Sequence, residues 1–416
     1  MSPQAPTNSP TGSFRAYLQG VGSSSMAQGL QIVLFPWLLV GVLGETPERV
    51  GLGQMALMLP QLLFVLWGGV LSDNRHPGRH LLRLYLLYNL PCLMLLAALV
   101  TGHLTYGLML VFGFVFGTIT AFVQPARESL LSRVVDTQLQ QAVARASFVQ
   151  FTAQSIGIVL AGYLEQVSLP LLLLVQLLLL SVSGWFLHRS LGTFSEAKCR
   201  HSGSTWQEMK SGLQLVRQDP RLLQLMMIVA ATGFLGFGMY LVAMPLLTRE
   251  VYHQGAAFFA WIQFSFMFGV ILSNLVIIRL VGRFAKPGRI LLVSLMVRGF
   301  FLVVISLHPP QWLLFLTIVL WGGASGLAMM LGRSMTHEES PQAYRARVVS
   351  VYQLALFGSA PIGAWLSGQA IAAFGVLPAI GLLGLLTVVA AIVAMLFSDL
   401  WKQQGPKRTS LSSASE

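Results

Sequence analysis

From about residue 14 to residue 399 the chain runs as long apolar stretches separated by short polar breaks. Each stretch is near the roughly 20 residues a helix needs to cross a bilayer. The pattern predicts helices over 14–43, 49–72, 80–101, 104–126, 138–164 and 168–189, and a second six over 220–250, 255–283, 288–306, 311–335, 343–372 and 376–399. Pro36, Pro60, Pro91, Pro245 and Pro361 fall inside these stretches. Membrane helices tolerate such prolines because neighbouring helices re-satisfy the freed backbone groups. Twelve spans place both termini on one side. The expected fold class is an all-α integral membrane protein with twelve transmembrane helices.

The longest break divides these spans six and six. Residues 1–13 are rich in Pro, Ser and Thr and carry no basic stretch before the first apolar run, so they read as a mobile tail and not as a signal peptide. The N-terminal six-helix half then covers 14–189, a linker 190–219, the C-terminal half 220–399, and a second tail 400–416. Within the linker, Trp206, Met209, Leu213 and Val216 recur at helical spacing, with Lys210, Gln214 and Arg217 opposite. That spacing predicts an amphipathic helix at the membrane interface, the alternative being a helix that caps the bundle.

Composition narrows the class further. Of 416 residues, 55% are hydrophobic and 10% charged, where a soluble chain carries about 25% charged residues. This excludes a cytosolic enzyme, a secreted disulfide scaffold and a disordered regulator. The net charge of +12 is a matter of topology: all 26 Lys and Arg residues except Arg49, Arg249 and Arg298 fall on the side of the termini. The positive-inside rule places that side in the cytoplasm, and the charge needs no nucleic-acid partner. Cys92 and Cys199 show no disulfide or metal spacing, and the eight histidines show no ligand spacing. No Gly-Lys-Ser/Thr or Gly-x-Ser-x-Gly motif occurs, so neither an ATP-driven pump nor an enzyme is expected, and no cofactor.

The two halves echo one another. Gly69-Val-Leu-Ser-Asp73-Asn-Arg75-His-Pro-Gly78-Arg79 follows span 2, and Arg279-Leu-Val-Gly282-Arg283-Phe-Ala-Lys286-Pro-Gly288-Arg289 follows span 8. Pro125-Ala-Arg127-Glu128 ends span 4, and Arg345-Ala-Arg347-Val-Val-Ser opens span 11. Repeated loops at matching places indicate a duplicated six-helix unit, as in many secondary transporters. The first loop resembles the signature Gly-x-Leu-Ala-Asp-Arg-x-Gly-Arg-Arg of the major facilitator superfamily, with two extra residues after Asp73. The Pro125-Ala-Arg127 and Arg345-Ala-Arg347 elements are similar to its bacterial efflux branch, which includes enterobactin-type siderophore exporters and macrolide exporters. That branch commonly carries Ser-Ser-x-Gly-Asp in span 1, whereas the acid position here holds Gln28.

The resemblance implies two pseudo-symmetric halves of the major facilitator fold in a bacterial inner membrane, and a secondary exporter working by alternating access. It also implies a cytoplasmic gate in which Asp73, beside Arg79, pairs with Arg127 or Arg133 near Glu128. Arg283, Arg289, Arg345 and Arg347 are its counterparts in the second half. Polar faces within the spans suggest a cavity: Ser24, Gln28, Gln31 and Phe35 on span 1, Gln54 and Gln61 on span 2, Gln150 and Gln154 on span 5. Trp37, Tyr240, Trp261 and Phe264 would add apolar surface. The plainer reading of each amide is interhelical hydrogen bonding. Arg298 is the one basic residue deep in a span, fit either for an anionic substrate or for a structural pairing. Without a mid-span carboxylate the cavity suits a small neutral or anionic amphipathic molecule. Protons are the candidate coupling ion, through Asp73 and Glu128. A lipid or lysolipid flippase is the alternative. A monomer is expected.

Overall fold

The computed structural model describes residues 10–73, 77–134, 139–190, 205–280, 286–341 and 344–401. The side chains of Asp73, Arg133, Trp206, Met209 and Arg345, and the whole of Arg283, lie outside the described residues.

All the regular elements there are helices: α1 (Pro10–Trp37), α2 (Pro47–Asp73), α3 (Pro77–Leu87), α4 (Asn89–Val100), α5 (Tyr106–Val134), α6 (Leu139–Ala161) and α7 (Leu169–Ser190) make the first half. A linker helix, α8 (Thr205–Gln218), leads to α9 (Pro220–Ala231), α10 (Met239–Leu246), α11 (Ala256–Leu280), α12 (Pro287–Ser306), α13 (Gln311–Glu339), α14 (Arg345–Gly358), α15 (Ala360–Phe374) and α16 (Val376–Phe397). Eleven helical stretches are long and apolar enough to cross a membrane, and the 27-residue α2 packed along α5 completes twelve. Several spans are composite. α3 and α4 meet at Tyr88, a π-helical segment (Thr232–Gly238) joins α9 to α10, and α14 and α15 meet at Ser359 before Pro361. The first helix starts at Pro10, four residues inside the stretch expected to be a tail.

Local chemistry sets several ends. Asp219 accepts the backbone N–H groups of Arg221 (2.8 Å) and Leu222 (3.3 Å) with Pro220 at the first helical position, so α8 stops and α9 starts there. Gly375, at φ +84°, separates α15 from α16.

The packing pattern repeats after six spans. Span 1 (α1) lies on span 5 (α6), as span 7 (α9–α10) lies on span 11 (α14–α15). Spans 2 and 4 pair as α2 with α5, and spans 8 and 10 as α11 with α13. Spans 3 and 6 pair as α3 and α4 with α7, and spans 9 and 12 as α12 with α16. The outside of the bundle is apolar too: α16 exposes Leu382, Leu385, Leu386, Val389, Val393 and Leu396, while Ile380, Gly384, Thr387 and Ala391 are buried. A helix that is apolar on its exposed face belongs in lipid.

The linker helix packs on the second half. Val216 is buried, Gly212 lies against Arg347, and the Arg347 guanidinium donates to Ser211 Oγ (3.0 Å). α8 is docked on the start of α14, with Leu213 left exposed.

Candidate functional site

The most concentrated polar chemistry inside the bundle gathers around Arg127 on α5, which is 3% exposed. Its Nε donates to the Tyr85 hydroxyl (2.8 Å) and its Nη2 to Ser24 Oγ on α1. The guanidinium also sits over the Tyr85 ring, 5.5 Å from its centroid. Tyr17 donates to the Arg127 carbonyl (3.2 Å). Beside this group Tyr88 donates to Thr120 Oγ1 (2.9 Å) and is reached by the Gln28 amide. Arg127 Nη1 is buried without an acceptor. Ser24 and Gln28, one helical turn apart on α1, thus meet neighbouring members of one polar cluster.

Other residues of the expected cavity sit elsewhere. Gln31 accepts from Gln176 Nε2 on α7 (2.9 Å), so it joins two helices of one half. Phe35 is fully buried and stacks on Phe112 (centroids 5.9 Å apart), within an aromatic row that continues through Phe116 to Tyr88. Gln54 is buried with its Nε2 unpartnered, and Gln61, Gln150 and Gln154 are half-buried on α2 and α6. Trp37 stacks on Phe259 of the other half. Tyr240 donates to Gln263 and packs against Phe266 and Trp321 in the second half's core. Trp261 and Phe264 meet edge to face on α11, with Trp261 exposed. Arg298 is 4% exposed between α12 and the π-helical segment, its Nη2 against Gly236 and its Nε and Nη1 without partners.

The gate residues with described side chains are dispersed. Arg127 turns inward to Ser24 and Tyr85, whereas Glu128 points outward and accepts from Gln124 (3.4 Å). Arg79 is exposed at the start of α3. Arg289 donates to the Trp401 carbonyl (2.8 Å) and lies over its ring, and Arg347 holds the linker helix. With the Asp73 side chain outside the described residues, its expected pairing is untouched by these contacts.

Two seams join the halves, α2 with α15 and α6 with α11. At the first, a Cβ on Gly51 would stand 3.0 Å from Gly368 Cα, backbone against backbone. At the second, the Glu165 carboxylate accepts the Ala256 N–H (2.7 Å), capping α11 from the opposite half. Both lie at the ends away from the chain termini. Beyond the spans, Tyr252 donates to the Pro309 carbonyl (2.5 Å), and burial pushes its phenol up to about 12.

Sequence reasoning missed Tyr17, Tyr85, Tyr88, Gln176 and Glu165. Tyr85 and Tyr88 share a helix face at a spacing of three, and Gln176 stands alone in a leucine run; both signals were present.

The duplicated six-span packing and apolar exterior define a membrane transporter of the major facilitator superfamily. The family model described as "Transmembrane secretion effector" matches residues 2–413, and the chain belongs to that family. No curated protein matches the sequence. Among solved structures, the chain is similar to the nucleoside transporter NupG (TM-score 0.73, 11% identity, covering 94% of this chain and 99% of that one). It is also similar to a POT family transporter in complex with 5-aminolevulinic acid (TM-score 0.73, 12% identity, 95% and 97% covered). A third likeness is a bacterial homolog of the human lysosomal transporter Spinster (TM-score 0.65, 14% identity, 94% and 96% covered). At these identities the likeness is one of fold.

Proposed function

We propose that the protein is a secondary active exporter of a small amphipathic organic molecule, neutral or anionic, working by alternating access between its two six-helix halves. It resides in a bacterial inner membrane with both termini in the cytoplasm. The observation that carries this reading is the pair of equivalent seams, span 2 against span 11 and span 5 against span 8. Two rigid halves joined along two such seams can rock about a site between them. The charge inventory supports this substrate class. The described spans hold buried arginines, Arg127 and Arg298, and no buried carboxylate, so a lipophilic cation would find no counter-charge. Asp73, at the end of α2 nearest the termini, is the candidate latch on the cytoplasmic side and, with Glu128, the candidate protonation site.

One observation favours the flippase reading. Leu52, Met55, Leu59, Leu110, Val111 and Phe114 line an apolar groove of about 370 Å³ between α2 and α5, suited to an acyl chain. Transport into inverted vesicles separates the two. Uptake of acidic or neutral amphiphiles without uptake of ethidium is expected. Equal uptake of ethidium, or lipid translocation with no soluble substrate moved, overturns the exporter reading.

A further inference from the structure

We infer that the groove between α2 and α5 holds a resident zwitterionic phospholipid, with one acyl chain along the two helices and the phosphate at Arg49. The inference goes beyond the exporter reading and does not depend on which molecule is moved.

The groove has a polar mouth on both walls. Arg49 and Tyr106 stand one helical turn above its first lining residues, Leu52 on α2 and Leu110 on α5. Helical spacing puts Arg49, Leu52, Ala56 and Leu59 on one face of α2, and Tyr106, Leu110 and Phe114 on one face of α5. The two mouth residues are tied together. The Tyr106 hydroxyl donates to the Arg49 carbonyl (2.9 Å), and the Arg49 guanidinium lies over the Tyr106 ring, 5.2 Å from its centroid. Aromatic and basic side chains at such a depth mark the headgroup level.

Below the mouth the groove is fixed in shape. A Cβ on Gly113 would stand 3.4 Å from the Leu57 nitrogen, and one on Gly117 would overlap the Leu57 carbonyl, so α5 lies directly on α2. The groove runs beside that contact, and both its walls belong to one six-helix half, so it keeps its form as the halves rock. Its volume is about 370 Å³ and every residue lining it is apolar. An alkyl chain matches that lining, while a headgroup would find no polar partner along it and stays at the mouth. From Arg49 to Leu59 the helix descends about 15 Å, half of the roughly 30 Å hydrocarbon thickness and the reach of one chain in one leaflet.

The mouth also sets the headgroup. Arg49 Nη1 donates to the Glu45 carboxylate (3.0 Å), the side chain is 58% exposed, and its Nε and Nη2 have no hydrogen-bond partner among the described residues. Those N–H groups are suited to the oxygens of a phosphodiester. Glu45 stands beside them, and Glu48 lies in the same first turn of α2. Both signs of charge are thus present, with acid in excess. That arrangement complements an ammonium close to a phosphate and opposes a headgroup of net negative charge.

The test is native mass spectrometry of the full-length protein in neutral detergent, with phosphatidylethanolamine, phosphatidylglycerol or diacylglycerol of matched chains added. Phosphatidylethanolamine is expected to be retained as a single adduct, several-fold more than the other two. Ala56→Phe fills the groove without touching the mouth, and Arg49→Gln removes the phosphate partner; each should lower retention several-fold. Val389→Phe, on the exposed face of α16, should leave it unchanged. If Ala56→Phe does not fold, the headgroup comparison and Arg49→Gln, at an exposed position, still decide. Equal retention of diacylglycerol, stronger retention of phosphatidylglycerol, or retention that survives Ala56→Phe or Arg49→Gln overturns the proposal. So does an equal loss in Val389→Phe, which would mean that lipid coats the bundle without a preferred place.

Discussion

Two buried arginines in one bundle invite opposite expectations. Arg127 holds its place through Tyr85 and Ser24, so its loss strands two hydroxyls whose partner is gone. Arg298 has no partner for Nε or Nη1 and fills space beside Gly236. Replacing even a paired buried charge by apolar side chains of similar volume is often neutral or stabilising, by about 1–4 kcal/mol, and an unpaired charge gives up no attraction on removal. Arg298→Met is therefore expected to raise the unfolding midpoint in detergent, and a lowered midpoint would reveal a partner for this charge. The sequence marks Arg298 as exceptional by its depth in a span, but Arg127 looks like one more arginine at a span end. Its burial depends on Tyr17, Ser24 and Tyr85, which come from helices distant along the chain.

At the scale of helices, the amides divide by what they meet. Gln31 and Gln176 join α1 to α7, with Gln176 Nε2 also 3.4 Å from the Ala27 carbonyl. Interhelical hydrogen bonds in membranes are worth on average about 0.6 kcal/mol and at most about 1.7. A double-mutant cycle with Gln31→Leu and Gln176→Leu should return a coupling in that range, measured by unfolding in detergent. A coupling of zero would return Gln31 to the candidates for substrate contact. Spacing placed Gln31 on the same face as Ser24 and Gln28, and a face spans more than one neighbour: Ser24 and Gln28 meet the Arg127–Tyr88 cluster, while Gln31 meets α7. The linker helix carries the same lesson. Its amphipathic pattern was legible, but an apolar stripe does not say whether lipid or α14 will cover it.

For the whole molecule, the seam at Glu165 offers a direct probe of the moving parts. A Cβ on Gly255 would fall 1.8 Å from Glu165 Oε1, the end of an exposed side chain that would have to swing away. Gly255→Ala should push the Glu165 carboxylate off the Ala256 N–H, so it removes the cap from α11 as Glu165→Ala does. The two substitutions are then non-additive, as expected of residues in contact. With Cys92 and Cys199 replaced by alanine, maleimide labelling of Ala257→Cys should quicken to a similar degree in Gly255→Ala, in Glu165→Ala and in the double variant. Rates unchanged from the background that keeps both Gly255 and Glu165 would remove Glu165 from the gate.

Span number, the six-plus-six division and the apolar exterior were all legible in the sequence, because a bilayer imposes a length and a polarity on each helix regardless of its neighbours. The repeated loops carried the duplication for the same reason, each lying next to its own span. The partners of the polar side chains were decided only by tertiary structure. Inside a membrane bundle both the lipid face and the core are apolar, so periodicity does not show which way a helix is turned. Arg127 became the centre of a site, Gln31 a brace and Arg347 a clasp for the linker helix through contacts with residues far away in sequence. Helix rotation and close packing set those contacts, and neither is written in the order of residues along one span.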